Sequence, residues 1–396
     1  MSSRDKSPQQ IDAASNATLS ADEALLRVRV GVTLVVLGVP QGSIISLDLR
    51  TYTIGAKFKG FKALSPDRVH LITFSPATKA GEGPITGTTG VFFKGEKGDV
   101  LVTEYYRSSE CINGVARAPS NIARDVRLLR LDEELTFCSK AADAAWAPLV
   151  ACVDSYTFQQ AGVKLGMLVS GTAHNLVSID DNSSGASSSG EVLPQGIPFT
   201  SIDVHSHPKG MSASEITNFH MDRTTLVKNT IESHYKNKWE HLIGELQLAF
   251  LTFLLLTSLE GLEHWKKLVS LLTQCDDLVT ENKQLFIRFL ATLTVQIQVI
   301  PKEVFIDEQQ RSNFLFVSLT HFYEILGEHR EDEVGEELRK SSETLSELVK
   351  RKYGWILPKI GPSASDYIST RLIDSFREDG PAIVPFEEIQ RAIGVD

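Results

Sequence analysis

The sequence predicts a two-part fold: a β-rich sandwich or barrel-like N-terminal domain followed by an all-α C-terminal domain. Three observations predict it. Short apolar runs punctuated by Gly, Pro and Asp recur at regular spacing through the first half. A Ser/Gly-rich stretch, Asp180-Asp-Asn-Ser-Ser-Gly-Ala-Ser-Ser-Ser-Gly190, then interrupts the chain. After about residue 210 the apolar period changes from 2 to 3.6.

The elements follow in order. Residues 1–24 are rich in Ser, Asp, Gln and Ala and are expected to be disordered. They contain no apolar core of a signal peptide. The β-rich domain is expected over 25–178. Val28–Val30 leads into the apolar run Thr33–Leu37, which Gly38 and Pro40 end in a turn. Further strands are expected at 44–49, 57–61, 69–74, 90–93 and 100–105, with a last one or two within 163–177. Ile122 to Cys138 is compatible with one or two helices.

Residues 179–204 read as linker, and 181–190 as dispensable for folding, because loop length costs little. The helical domain is expected over 205–378. Residues 238–258 are apolar nearly all round, which marks a central helix. Leu246–Leu256 has only about half the roughly 20 residues a membrane span needs. Leu262, Trp265, Leu268, Val269 and Leu272 carry on the helical spacing. Phe286, Phe289, Leu290, Leu293 and Ile297 form the next stripe, stopped by Pro301. Ser312 can cap a helix from Phe314 to Leu326. Residues 331–352 form a charged helix with Glu336/Lys340 and Glu347/Arg351 in favourable i, i+4 order. Another helix is expected at 363–376. The tail, 379–396, is extended: Gly380-Pro-Ala-Ile-Val-Pro-Phe386 has two prolines that exclude a helix interior.

Composition narrows function. The chain has 396 residues, 42 % of them hydrophobic, with a net charge of −10. That sign argues against a duplex or RNA binder. Its four cysteines, Cys111, Cys138, Cys152 and Cys275, form no C-x-x-C pair and read as reduced thiols.

One motif suggests catalysis. His205-Ser-His207-Pro208 matches the zinc-binding core of deubiquitinating metalloproteases, which also needs a Ser-x-x-Asp about eight residues on. Position 216 is Ile, and the nearest approximation is Ser212-x-x-Glu215. The motif is therefore weighed as a polar linker, with no zinc or other cofactor expected. The loop Gly81–Gly90 lacks phosphate-loop spacing. Asp132-Glu-Glu134 reads as a solvated helix face. The tryptophans read as core, with His264-Trp-Lys-Lys267 a candidate interface rim. No catalytic residue emerges.

Several runs taken together resemble the Aar-two family of U-five snRNP assembly factors. They are 37–43 (LGVPQGS), 46–49 (SLDL), 54–60 (IGAKFKG), 89–93 (TGVFF), 240–247 (EHLIGELQ), 263–268 (EHWKKL) and 300–305 (IPKEVF). The resemblance implies a VHS-like superhelix for the helical domain and a non-enzymatic pre-mRNA splicing factor of cytoplasm and nucleus. Its implied partner is the RNase H-like and endonuclease-like region of the large Prp-eight protein. There it would keep off the Brr-two helicase and RNA until maturation. It also implies a tail that adds as a strand along the partner. The sequence agrees, since Ile383 and Val384 are β-formers, Pro385 blocks self-pairing and Phe386 is an apolar anchor. Direct nucleic-acid binding, membrane association and oligomerisation are not expected. A zinc isopeptidase at His205 and His207 and a VHS-like peptide adaptor are the alternatives.

Overall fold

The computed structural model describes residues 20–75, 89–171, 196–204, 207, 209–305 and 313–360. Contacts divide the chain into two compact units, Met1–Pro198 with Leu255–Ser258, and Phe199–Leu254 with Leu259–Asp396.

The first unit opens with helix α1 (Ala21–Val30), so the expected disorder does not extend through residue 24. Its start is a capping box: Ser20 accepts from Glu23 N, and the Glu23 side chain accepts from Ser20 N. Val28–Val30, read from sequence as leading into a strand, closes this helix. Its Arg27 reaches the Ala63 carbonyl at 3.4 Å and stacks over the Phe137 ring.

Two sheets follow. The first takes β1 (Val32–Leu37), β4 (Gly60–Leu64), β7 (Val100–Tyr106), β8 (Cys111–Ile112), β9 (Ala116–Arg117) and β10 (Leu135–Phe137). Its order is β10-β4-β1-β7-β8, with β9 also on β7, and β1 runs parallel to β7 and antiparallel to β4. The second is wholly antiparallel, β11-β6-β5-β2-β3. Its members are β2 (Ile44–Leu47), β3 (Arg50–Thr53), β5 (Val69–Ser75), β6 (Thr89–Lys94) and β11 (Leu168–Ser170). Val32, Leu34 and Phe61 of one sheet share a core with Ile45, Ile72, Phe74, Val91 and Phe93 of the other. This is a sandwich, and the β-rich expectation holds.

Helices cover the outer faces, which is why β1 and β5 are buried up to their last residue instead of alternating. Helix α2 (Ser120–Arg127) lays Ala123, with Ile122 and Val126, on Val35 and Val100. Behind β5 and β6 lie α3 (Lys140–Trp146) and α4 (Ser155–Gln160). The Trp146 indole donates to Val69 O at 2.8 Å, and Phe158 packs on Phe92. Gly60 shows why glycine is needed at one crossing: φ is +138°, and a Cβ would meet Leu34 O at 2.0 Å.

Residues 122–138 hold less helix than the spacing suggests. After α2 the chain turns through Asp132–Glu134 and joins β4 as β10. The acidic turn is a single 3-10 turn with Glu133 exposed and the acids on either side of it paired. Lys62 Nζ donates to Asp132 O at 2.8 Å, and Lys59 pairs with Glu134 at 2.7 Å. Helix α2 ends in a Schellman motif, Arg130 N to Asp125 O and Leu129 N to Val126 O, with Leu129 at φ 58°. Glycine is the usual occupant; a leucine there costs roughly 1–2 kcal/mol.

The second unit is all-helical over residues 213–353 among its described regular elements, as expected. Its helices are α5 (Ala213–Met221), α6 (Thr224–His234), α7 (Trp239–Leu256), α8 (Leu259–Leu272), α9 (Asp277–Glu281), α10 (Lys283–Val299), α11 (Phe314–Glu328), α12 (Glu331–Val334) and α13 (Glu336–Tyr353). Helix α7 is long and apolar enough to cross a membrane, but most of it is buried in the protein. It is the central helix the sequence called for. Its buried polar Thr252 bonds back to Ala249 O.

Three local readings change. Asn313 caps α11, accepting from Leu315 N and Phe316 N, whereas Ser312 lies outside the described residues. Gly335, at φ 83°, splits the charged 331–352 segment into α12 and α13. On α13 the i, i+4 contact that forms is Arg339–Glu343 at 3.9 Å; neither expected pair meets. At the end of α13, Lys352 Nζ donates to the carbonyls of Ile297, Gln298 and Ile300 at the C-terminus of α10. The 363–376 helix and the tail lie outside the described residues.

Candidate functional site

The residues singled out by sequence divide into supports and absences. His205 lies outside the described residues; His207 is exposed, with its ring edge-on to His220 at 6.0 Å. The acid near the motif has a structural duty. Ser212 and Glu215 form the capping box of α5: Ser212 N and Oγ both donate to the Glu215 carboxylate at 2.7 Å. Those donors hold the Glu215 carboxyl below its ordinary value. Among the described residues no three His, Cys, Asp or Glu side chains gather in a metal-binding group. Trp146, Trp265 and Trp355 are buried. Lys266 is buried too, pairing with Glu263 at 3.7 Å, so 264–267 is core with a charged rim. Ile383, Val384, Pro385 and Phe386 lie outside the described residues.

Two buried acid–histidine pairs remain, one in each unit. In the helical unit, Glu245 on α7 is fully buried. Thr200 N donates to it at 2.7 Å, Thr200 Oγ1 at 2.8 Å and Tyr235 Oη at 2.8 Å. His264 Nε2 of α8 lies 2.9 Å from Glu245 Oε1. Phe199 stacks flat on the His264 ring, 4.8 Å between centroids. Burial pushes the Glu245 carboxyl up, but His264 and the Thr200 donors outweigh it and leave it below its ordinary value. Phe199 and Thr200 were read as linker; here they are fastened into the helical unit. Next to this cluster, Trp265 Nε1 donates to Gln296 Oε1 at 2.9 Å.

In the β unit, Asp48 sits in the two-residue β2–β3 turn at φ 55°. Its Oδ2 meets His70 Nδ1 at 2.8 Å and its Oδ1 accepts from Leu71 N at 3.0 Å. The other ring nitrogen, Nε2, is 3.0 Å from Ser65 O. A carboxylate and a carbonyl only accept, so both ring nitrogens donate and His70 is an imidazolium. Burial disfavours that charge, but Asp48 outweighs it, with help from Ser65 and Asp143, and the His70 pKa is raised. Asp143 is itself bonded to Arg68. The pair borders a cavity of about 130 Å³ that Ser65, Cys138 and Asp143 also line.

Neither pair is built for catalysis. His70 has no free nitrogen to take a proton from a nucleophile, and the Glu245 oxygens are occupied by donors. Each is a brace: one pins a hairpin turn, the other pins the entry segment Phe199–Thr200 to the helices. Sequence reasoning missed both as pairs, although Asp48, Glu245 and His264 all stand in the runs that carried the family resemblance.

Comparison with known proteins agrees with that resemblance. Residues 30–161 match the family model described as AAR2 N-terminal domain, and residues 199–358 the model described as AAR2 C-terminal repeat region. Relatives named Protein AAR2 homolog from Homo sapiens and Mus musculus are each 24 % identical over 349 residues, covering 82 % of this chain and 90 % of theirs. The relative of that name from Caenorhabditis elegans is 24 % identical over 352 residues, covering 83 % of this chain and 95 % of its own. With a sandwich on the first match and a helical unit on the second, this chain belongs to the AAR2 family.

Proposed function

We propose that this splicing-related AAR2 factor acts without catalysis, as an assembly chaperone for the U-five snRNP. It occupies the RNase H-like and endonuclease-like region of the large Prp-eight protein and delays the Brr-two helicase and RNA. It works in the cytoplasm and nucleus as a monomer. Ile383, Val384, Pro385 and Phe386 add to the partner as an extended strand. The observation that carries this reading is the match of both units, in order, to the two AAR2 family models. The bracing of both buried pairs supports it, because rigid surfaces bind at lower ordering cost.

The test is direct binding of the full chain to the Prp-eight region, followed by competition with Brr-two. Expected are a stable complex and mutual exclusion of the two proteins. A chain ending at Gly380 is expected to bind more weakly with an almost unchanged melting temperature. No complex, or a ternary complex with Brr-two, overturns the reading. A large drop in melting temperature with unchanged binding overturns the role of the tail.

A further inference from the structure

The end of α2 carries a surface that neither buried pair nor the tail accounts for. The inner side of this helix is spent on Val35 and Val100. Its outer side and the turn after it present Arg124, Arg127, Leu128, Leu129 and Arg130, all exposed. Leu128 is 55 % and Leu129 50 % accessible. Arg130 is tied to Asp125 at 2.9 Å. Among the described residues, no carboxylate lies within ion-pair distance of Arg124 or Arg127.

The helix dipole explains arginines near a C-terminus. It does not explain the leucines. Leu129 stands at the left-handed position of the Schellman motif, where glycine would relieve strain and remove exposed apolar surface together. The fold accepts two unfavourable features at one residue, and both would vanish with one substitution. A cationic patch in a chain of net charge −10 also selects the sign of what covers it. Nucleic-acid phosphates would satisfy the arginines but leave the leucines wet. A protein segment with carboxylates around an apolar anchor satisfies both.

We propose that the α2 C-terminal knuckle is a docking surface for an acidic segment of the protein partner, with an apolar side chain seated on Leu128 and Leu129. The proposal rests on the function reading above and adds the chemistry of one contact.

Leu129→Gly is the decisive variant, because it separates binding from folding. In the full chain it is expected to raise the melting temperature, while affinity for the Prp-eight region falls about fivefold or more. Arg124→Glu with Arg127→Glu is expected to weaken binding further and to flatten its salt dependence. Wild type that binds while Leu129→Gly binds equally well overturns the docking surface and leaves the function reading standing. Wild type that fails to bind overturns both. An oligouridine of about 20 nucleotides serves as the competing probe. If it binds wild type, is lost on arginine reversal and is unaffected by Leu129→Gly, the patch belongs to RNA and the proposal falls.

Discussion

Asp48–His70 and Glu245–His264 pair the same two chemical groups, and the surroundings give them opposite centres. In the sandwich the histidine is the held group: two acceptors grip its ring, and the charge kept is positive. In the helical unit the carboxylate is held: three hydrogen-bond donor atoms and a histidine converge on it, and the charge kept is negative. What decides is the neighbouring backbone. The turn after β4 offers the Ser65 carbonyl to His70, whereas the entry segment offers the Thr200 N–H to Glu245. The pairs therefore couple stability to pH with opposite signs. His70 has a folded pKa above its unfolded one, so its contribution is complete below about pH 6.5 and is lost as pH rises through the folded value. Glu245 has a folded pKa below its unfolded one, so its contribution is complete above about pH 4.5 and is lost as pH falls through the folded value.

The hardest break is Glu245→Ala. It leaves the Thr200 amide and hydroxyl, the Tyr235 hydroxyl and His264 buried without an acceptor. The expected loss is about 3–5 kcal/mol, read by denaturant unfolding, with hydrogen exchange showing the helical unit opening first. A loss below about 1 kcal/mol would mean that water reaches the site. His70→Gln comes next, at about 2–3 kcal/mol at pH 6, because Asp48 loses a charged donor. The gap to wild type should shrink between pH 6 and pH 9; a constant gap would show that the native ring is neutral. Glu245→Gln keeps the shape and half the acceptors, with an expected cost of about 1–3 kcal/mol at pH 7. That gap should narrow in acid, the reverse of His70→Gln, and a shared direction would break the comparison. Smallest is Ser212→Ala, about 1 kcal/mol from the lost cap of α5, measured in the same unfolding assay.

The sequence disclosed the large divisions and obscured the local ones. Short apolar runs with glycine and proline stops locate β1, β2, β5, β6 and β7 because turn chemistry is written in the residues that make it, whereas β4 starts three residues later than the 57–61 run suggests and the polar β3 (Arg50–Thr53) went unread. Helix α7 is legible from its continuous apolar surface. Helices α3 and α4 have only seven and six residues, too few for a period to show, although Ser139 and the Asp154-x-x-Thr157 box mark their starts. Helix α1 was missed because its last residues, Val28-Arg-Val30, look like the strand that follows. The acid–histidine pairs could not be read at all. Asp48 and His70 are 22 positions apart, and only the β2–β5 pairing brings them together. Ser212-x-x-Glu215 is legible as a pattern, but the same spacing serves a metal site and a capping box, and only the start of α5 at Ala213 decides for the cap.

Lys352 adds a timing to the chain's synthesis. Its ammonium closes carbonyls that α10 exposes from Ile297 onward, so the cap is made 55 residues after the first group it serves. A ribosome adding roughly 5–20 residues per second needs between about 3 and 11 s to cover that distance. Throughout that interval the end of α10 is without its own cap, and water or a chaperone must satisfy it. A translational pause between residues 300 and 352 would prolong that state; a faster passage would shorten it. The end of α10 is thus capped from a distance, when the last turn of α13 leaves the ribosome.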